Sequence, residues 1–82
     1  MDAQVRRVLE EKIRDAESRR GDAERLAASL AGGSPEFARG VIAGGVYNSF
    51  RYQTRRLLGR EPTSSEFEEL LSMMGSLSGR GL

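Results

Sequence analysis

Histidine, cysteine and tryptophan are all absent from the 82 residues of this chain. Their absence removes the usual zinc ligands, the thiolate nucleophile and the commonest general base near neutral pH. An enzyme built on this sequence would depend on carboxylate, arginine, tyrosine or glutamine side chains, and no pattern among them points to a pocket. We therefore expect a protein that is not an enzyme and that carries no metal and no cofactor.

Long apolar runs are also missing. A transmembrane helix needs about 20 apolar residues in succession, and the most apolar stretch, residues 37–50, is shorter and is interrupted by Arg39. The sequence does not open with a positively charged segment followed by an apolar signal core. These features predict a cytoplasmic protein that does not associate with membranes.

The chain is short for a protein without disulfide bonds. A domain of this size buries only about 60 to 65% of the surface that its unfolded chain exposes, so an isolated core would be marginal. Small folds of this kind gain stability from tight helix packing or from association with another chain. We expect one domain over residues 1–82, and a homo-oligomer, most simply a homodimer.

The first half of the sequence predicts one long helix over about residues 2–31. This stretch lacks proline, and its apolar residues recur at spacings of three and four, as on one face of a helix. Gly21 is the weakest position, because glycine inside a helix costs roughly 1 kcal/mol relative to alanine. A two-stranded coiled coil is disfavoured, because Lys12 and Arg19 would fall on its seam.

Start and stop signals define two further helices. Gly32 and Gly33 end the first helix, and Ser34-Pro35-Glu36 combines a hydroxyl cap, a proline at the first helical position and an early acid. The second helix should span about 35–58, and a third, opened by a capping box, about 64–77, with residues 76–82 frayed. The predicted fold is an all-α helical bundle: a long hairpin closed by a short third helix, most simply dimeric.

Small residues on the second predicted helix indicate a helix crossing. Glycine in a helix is costly, so three glycines within six residues suggest that close approach of another backbone compensates. That backbone could belong to the first helix of the same chain or to a symmetry mate in a two-fold dimer, and the sequence leaves both open. The predicted crossing residues are Gly40, Val41, Gly44, Gly45, Tyr47 and Ser49.

The second half of the same helix is basic. Residues 35–61 carry five arginines against two glutamates, a net charge of +3, whereas residues 62–82 carry one arginine against three glutamates, a net charge of −2. Arginines interleaved with tyrosines can bind nucleic acid, but these could equally pair with Glu66, Glu68 and Glu69 or stabilise the helix end. The candidate nucleic-acid contacts are Arg51, Tyr52, Arg55, Arg56 and Arg60.

Together these features favour a small, non-catalytic interaction module that self-associates, binds a protein partner, or does both. Nucleic-acid binding through the basic segment is the alternative function. No helix-turn-helix, zinc-finger or RNA-recognition signature supports that alternative.

Overall fold

A computed structural model describes residues 1–78, with side chains described through residue 75. These residues form four α-helices and no strand: α1 Ala3–Ser18, α2 Arg20–Leu30, α3 Pro35–Leu58 and α4 Ser64–Ser78. The all-α prediction is confirmed. The third predicted helix agrees with α4 to within one residue, and residues 79–82 of the predicted frayed tail lie outside the described residues.

The stretch predicted as one helix over residues 2–31 consists of two helices. The interruption is at Arg19, two residues before Gly21, and it is a single residue with φ −104° and ψ 19°. The Arg19 N–H still bonds to the carbonyl of Asp15 at 3.0 Å, and the Asp22 N–H bonds to the Arg19 carbonyl at 3.0 Å. The second bond spans three residues, so the chain tightens locally instead of leaving backbone groups unpaired.

Both ends of α3 follow from local chemistry. At its start, the Ser34 hydroxyl accepts a hydrogen bond from the Phe37 N–H at 3.2 Å, and Pro35 occupies the first turn. At its end, Gly59 adopts the left-handed conformation with φ 69°, and its N–H bonds to the Arg55 carbonyl at 3.0 Å. The residue range 35–58 predicted for this helix is therefore the one observed.

The core lies where α3 packs along α1 and α2. The loop of residues 31–34 returns the chain, and α3 then contacts both preceding helices. α4 contacts α1 and contributes one buried residue, Leu70, to the core. The other buried apolar residues of residues 1–75 are Val5, Leu9, Ile13, Ala23, Ala27, Ala38, Ile42, Val46 and Phe50.

Candidate interaction surface

The buried side of α3 fixes the direction of every other residue on that helix. Its buried residues occur at every fourth position: Ala38, Ile42, Val46, Phe50 and Thr54. Each residue of an α-helix is rotated by about 100° from the last. Residues just before and just after a buried position therefore lie on opposite flanks, and residues two positions away face outward.

Gly40 and Gly44 occupy the outward face of α3. Each lies two residues from the buried Ile42, which corresponds to a rotation of about 200°. Gly40 is exposed and Gly44 is half-buried. Apart from the adjacent residues and the backbone of α3 itself, no heavy atom of the described residues lies within 4 Å of where a Cβ would stand on either glycine. Close packing among the described residues therefore does not account for these two glycines.

Val41, Gly45 and Ser49 lie together on one flank of α3, where they line a groove of about 270 Å³ between α3 and the pair α1 and α2. Ala16, Ala23 and Leu26 line the other side, and Ile42 and Val46 also contribute to the lining. Leu26 keeps 44% of its surface exposed. This groove, referred to below as the flank groove, is an apolar depression that no described residue fills.

Four charged side chains also line the flank groove on its α1 and α2 side. They are Lys12, Asp15, Arg19 and Asp22. Within the chain, the Arg19 Nε lies 3.3 Å from Asp15 Oδ1, and both side chains are more than half exposed. Exposed pairs of this type contribute about 0 to 1 kcal/mol, so they remain available to a charged partner.

Tyr47 is on the opposite flank of α3 and belongs to a different surface. Its ring meets the ring of Phe67 on α4 edge-on, with centroids 6.2 Å apart. A second pocket of about 320 Å³ lies here and is lined in part by Tyr47, Arg51, Pro62 and Phe67. The six residues predicted to form one helix-crossing surface are thus spread over three faces of α3.

Three of the four predicted basic residues are paired with glutamates of the same chain. Arg51 Nη2 lies 3.1 Å from Glu61 Oε1, and Arg55 Nε lies 3.3 Å from Glu61 Oε2. Tyr52, with 60% of its surface exposed, lies one turn from Arg56 on the outward face. Glu61, in the turn between α3 and α4, was not among the partners predicted for these arginines, which were the glutamates of α4.

Arg60 is paired with Glu66, one of the three α4 glutamates with which the sequence allowed the arginines to pair. Its Nη1 and Nη2 donate to Glu66 Oε1 and Oε2 at 2.8 and 3.0 Å. Glu66 also accepts from the Thr63 N–H at 2.9 Å, and the Glu66 N–H donates to the Thr63 hydroxyl at 3.1 Å. This reciprocal exchange is a capping box that starts α4. Hydrogen bonds from Arg60, and next from the Thr63 N–H, lower the pKa of Glu66 to about 2.

No family model matches this chain, and no curated protein or solved structure is significantly similar to it. Among the described residues, no helix is long and apolar enough to cross a membrane. No group of three or more acidic side chains within residues 1–78 is placed to hold a metal ion. Only the residues and contacts of this chain itself therefore bear on its function.

The lowered pKa of Glu66 predicts that acid weakens the fold through this residue. Because the pKa is below its ordinary value of 4.5 only in the folded state, the stabilisation is complete above about pH 4.5 and is lost as the pH falls towards about 2. Glu66→Gln keeps an acceptor for the Thr63 N–H but removes the charge that pairs with Arg60. We expect this variant to be less stable than the parent near neutral pH, and the difference to shrink on acidification.

Urea unfolding monitored by circular dichroism, at several pH values from about 7 to about 2, measures this difference directly. Glu68→Gln, at an exposed position of the same helix, controls for removing one negative charge from α4. A stability difference between the parent and Glu66→Gln that stays constant over the whole pH range would contradict the prediction.

Proposed function

We propose that this chain is a non-catalytic interaction module that self-associates, and that its helices form a dimeric bundle. The observation that carries the proposal is the flank groove, an apolar depression that the described residues of the chain leave open. Exposed apolar groups on a helical surface are covered when a second helical surface packs against them. The proposed interface is therefore this groove, and not the wider set of glycine-bearing positions on α3 that the sequence predicted.

The size of the chain supports the same proposal. Leu26 and Leu30 of α2 are 44% and 70% exposed, and Phe37 near the start of α3 is 36% exposed. A small domain that exposes these side chains gains further apolar burial from a second chain. In a two-fold dimer each contact occurs twice, so even a modest apolar surface on each copy adds to the apolar area that is buried.

The placement of the arginines favours a protein partner over nucleic acid. Arg51, Arg55 and Arg60 each have a glutamate within 3.3 Å, so phosphate binding would have to compete with these existing pairs. Of the five residues predicted to contact nucleic acid, the other two, Arg56 and Tyr52, are exposed. This is a small basic surface compared with those of known nucleic-acid-binding domains.

The mass of the protein in solution tests this proposal. Sedimentation equilibrium across micromolar concentrations should give twice the 9.0 kDa of one chain, with a monomer appearing on dilution. Leu26→Lys and Val41→Lys place a charge in the flank groove and should raise the dissociation constant at least about tenfold, since burying an unpaired charge is unfavourable. Tyr52→Lys, on the outward face, is the control and should leave it unchanged.

A protein that remains a monomer at high micromolar concentration would remove the self-association proposal. If that monomer also bound mixed oligonucleotides with an affinity that falls steeply with salt, the nucleic-acid alternative would replace it.

A further inference from the structure

The charges that line the flank groove follow an order that becomes complementary to itself when its direction along the chain is reversed. Along the chain they read Lys12, Asp15, Arg19 and Asp22, which alternate in sign, and all four line the groove. The pattern is centred on residue 17. Reversing it about that centre places position 12 opposite position 22 and position 15 opposite position 19, so every charge meets its opposite.

We infer that the occupant of the flank groove is a second copy of this chain, related by a two-fold axis that crosses the helices near residue 17. This inference rests on the proposed self-association and specifies its geometry. The consecutive helices α1 and α2 then run antiparallel to α1 and α2 of the other copy. Lys12 of each copy meets Asp22 of the other, and Asp15 of each meets Arg19 of the other. Two-fold symmetry makes both pairs occur twice.

The residues of α3 fit the same axis. Val41, Gly45 and Ser49 line the groove at successive turns, with the glycine in the middle. The axis places Gly45 where α3 crosses α3 of the other copy, and Val41 then faces Ser49 across the interface. Apart from the adjacent residues and the backbone of α3 itself, no heavy atom of the described residues lies within 4 Å of the position of a Cβ on Gly45, so the side of α3 at Gly45 is open to a second backbone.

The groove also carries apolar residues that a second copy would cover. Leu26 and Val41 belong to the same lining, so both copies bury them when the grooves close on each other. An unrelated apolar helix would also bury them. An unrelated helix would need its own set of four complementary charges, whereas a second copy of this chain already carries that set. Complementary charge of this type sets register and orientation more than affinity.

Charge reversal tests this register. Lys12→Asp places two aspartates at each 12–22 contact, and Asp22→Lys places two basic residues there. Each single variant should raise the dimer dissociation constant about tenfold or more, because symmetry repeats the repulsion at both contacts. The double variant, Lys12→Asp with Asp22→Lys, exchanges the charges and should restore the constant to within about threefold of the parent.

Mixing the two single variants provides a second measurement. A heterodimer of Lys12→Asp with Asp22→Lys has opposite charges at both contacts, so the mixture should dimerise although each variant alone does not at the same concentration. Arg25→Asp, at an exposed position that does not line the groove, controls for reversing a charge on these helices and should dimerise like the parent. Circular dichroism verifies that every variant is folded.

Paired glycine substitutions test the crossing point. Gly45→Leu fills the space reserved for the second backbone and should abolish the dimer, whereas Gly44→Leu, on the outward face of α3, should not. Neither glycine is required by contacts within the described chain, so both variants should fold. Loss of the dimer with Gly44→Leu but not with Gly45→Leu would move the crossing to the outward face and overturn the inference.

The results separate this inference from the proposed function. If the parent protein is a monomer, self-association itself fails, and the geometry fails with it. If the parent is a dimer but the single charge reversals leave its dissociation constant unchanged, or the double variant is not restored, the geometry is wrong while self-association stands.

Discussion

Replacing Phe50 with alanine is expected to remove most or all of the stability of this fold. The side chain is 1% exposed and is the largest fully buried one in residues 1–75. Truncating a buried phenylalanine costs about 3 to 5 kcal/mol, because transfer energy is lost and a cavity remains. Single domains have about 5 to 15 kcal/mol in total, and small ones lie at the low end of that range. Urea unfolding monitored by circular dichroism measures the effect.

Tyr52→Ala provides the matched control two residues further along the same helix. This side chain faces outward and is 60% exposed, so its truncation should change the free energy of unfolding by no more than about 0.5 kcal/mol. Because the two substitutions have similar effects on helix propensity, the difference between them reports burial. Equal losses of stability in the two variants would contradict the packing of α3 described above.

Leu70→Ala should detach α4 from the rest of the molecule. Leu70 is 1% exposed and is the one buried apolar side chain among residues 64–75 of α4. The substitution should cost about 2 to 5 kcal/mol, and α4 bears that loss directly, since the other apolar residues that it packs against the core, Met73 and Met74, are only partly buried. Hydrogen exchange should therefore accelerate in α4 well before it does in α1 and α3.

The neighbouring Leu71 gives a control with the same chemistry and a different environment. It is 48% exposed, so Leu71→Ala should leave exchange in α4 close to that of the parent. The flank groove lies on the flank of α3 away from Tyr47 and Phe67, so dimerisation should persist in Leu70→Ala. Uniform acceleration of exchange throughout the molecule would show instead that α4 and the other helices unfold as one unit.

The helix boundaries were readable from the sequence where a local side-chain contact sets them. Ser34 and Gly59 bound α3 through a cap and a left-handed glycine, and Thr63 with Glu66 starts α4 through reciprocal hydrogen bonds. The break at Arg19 has no such signal. The helix-weakening residue nearby is Gly21, which lies two residues after the break.

The faces of α3 could not be assigned from the sequence, because its first half is apolar or small nearly all round. Only the structure shows that the buried positions recur at every fourth residue and that Gly40 and Gly44 point away from them. The pairing of Arg51 and Arg55 with Glu61 could not be predicted from the sequence either. It depends on the turn after Gly59, which brings Glu61 back towards the last turns of α3.

The glycines of α3 also bear on the order in which this protein folds. Gly40, Gly44 and Gly45 each weaken an isolated helix by about 0.5 to 1 kcal/mol, and no described contact of the single chain requires any of them. In proteins most of the stability of a helix comes from packing against the rest of the fold and not from the propensity of its residues. We therefore expect α3 to form only as it docks on α1 and α2, so that the central helix of the molecule is a product of collapse and not the nucleus that starts it.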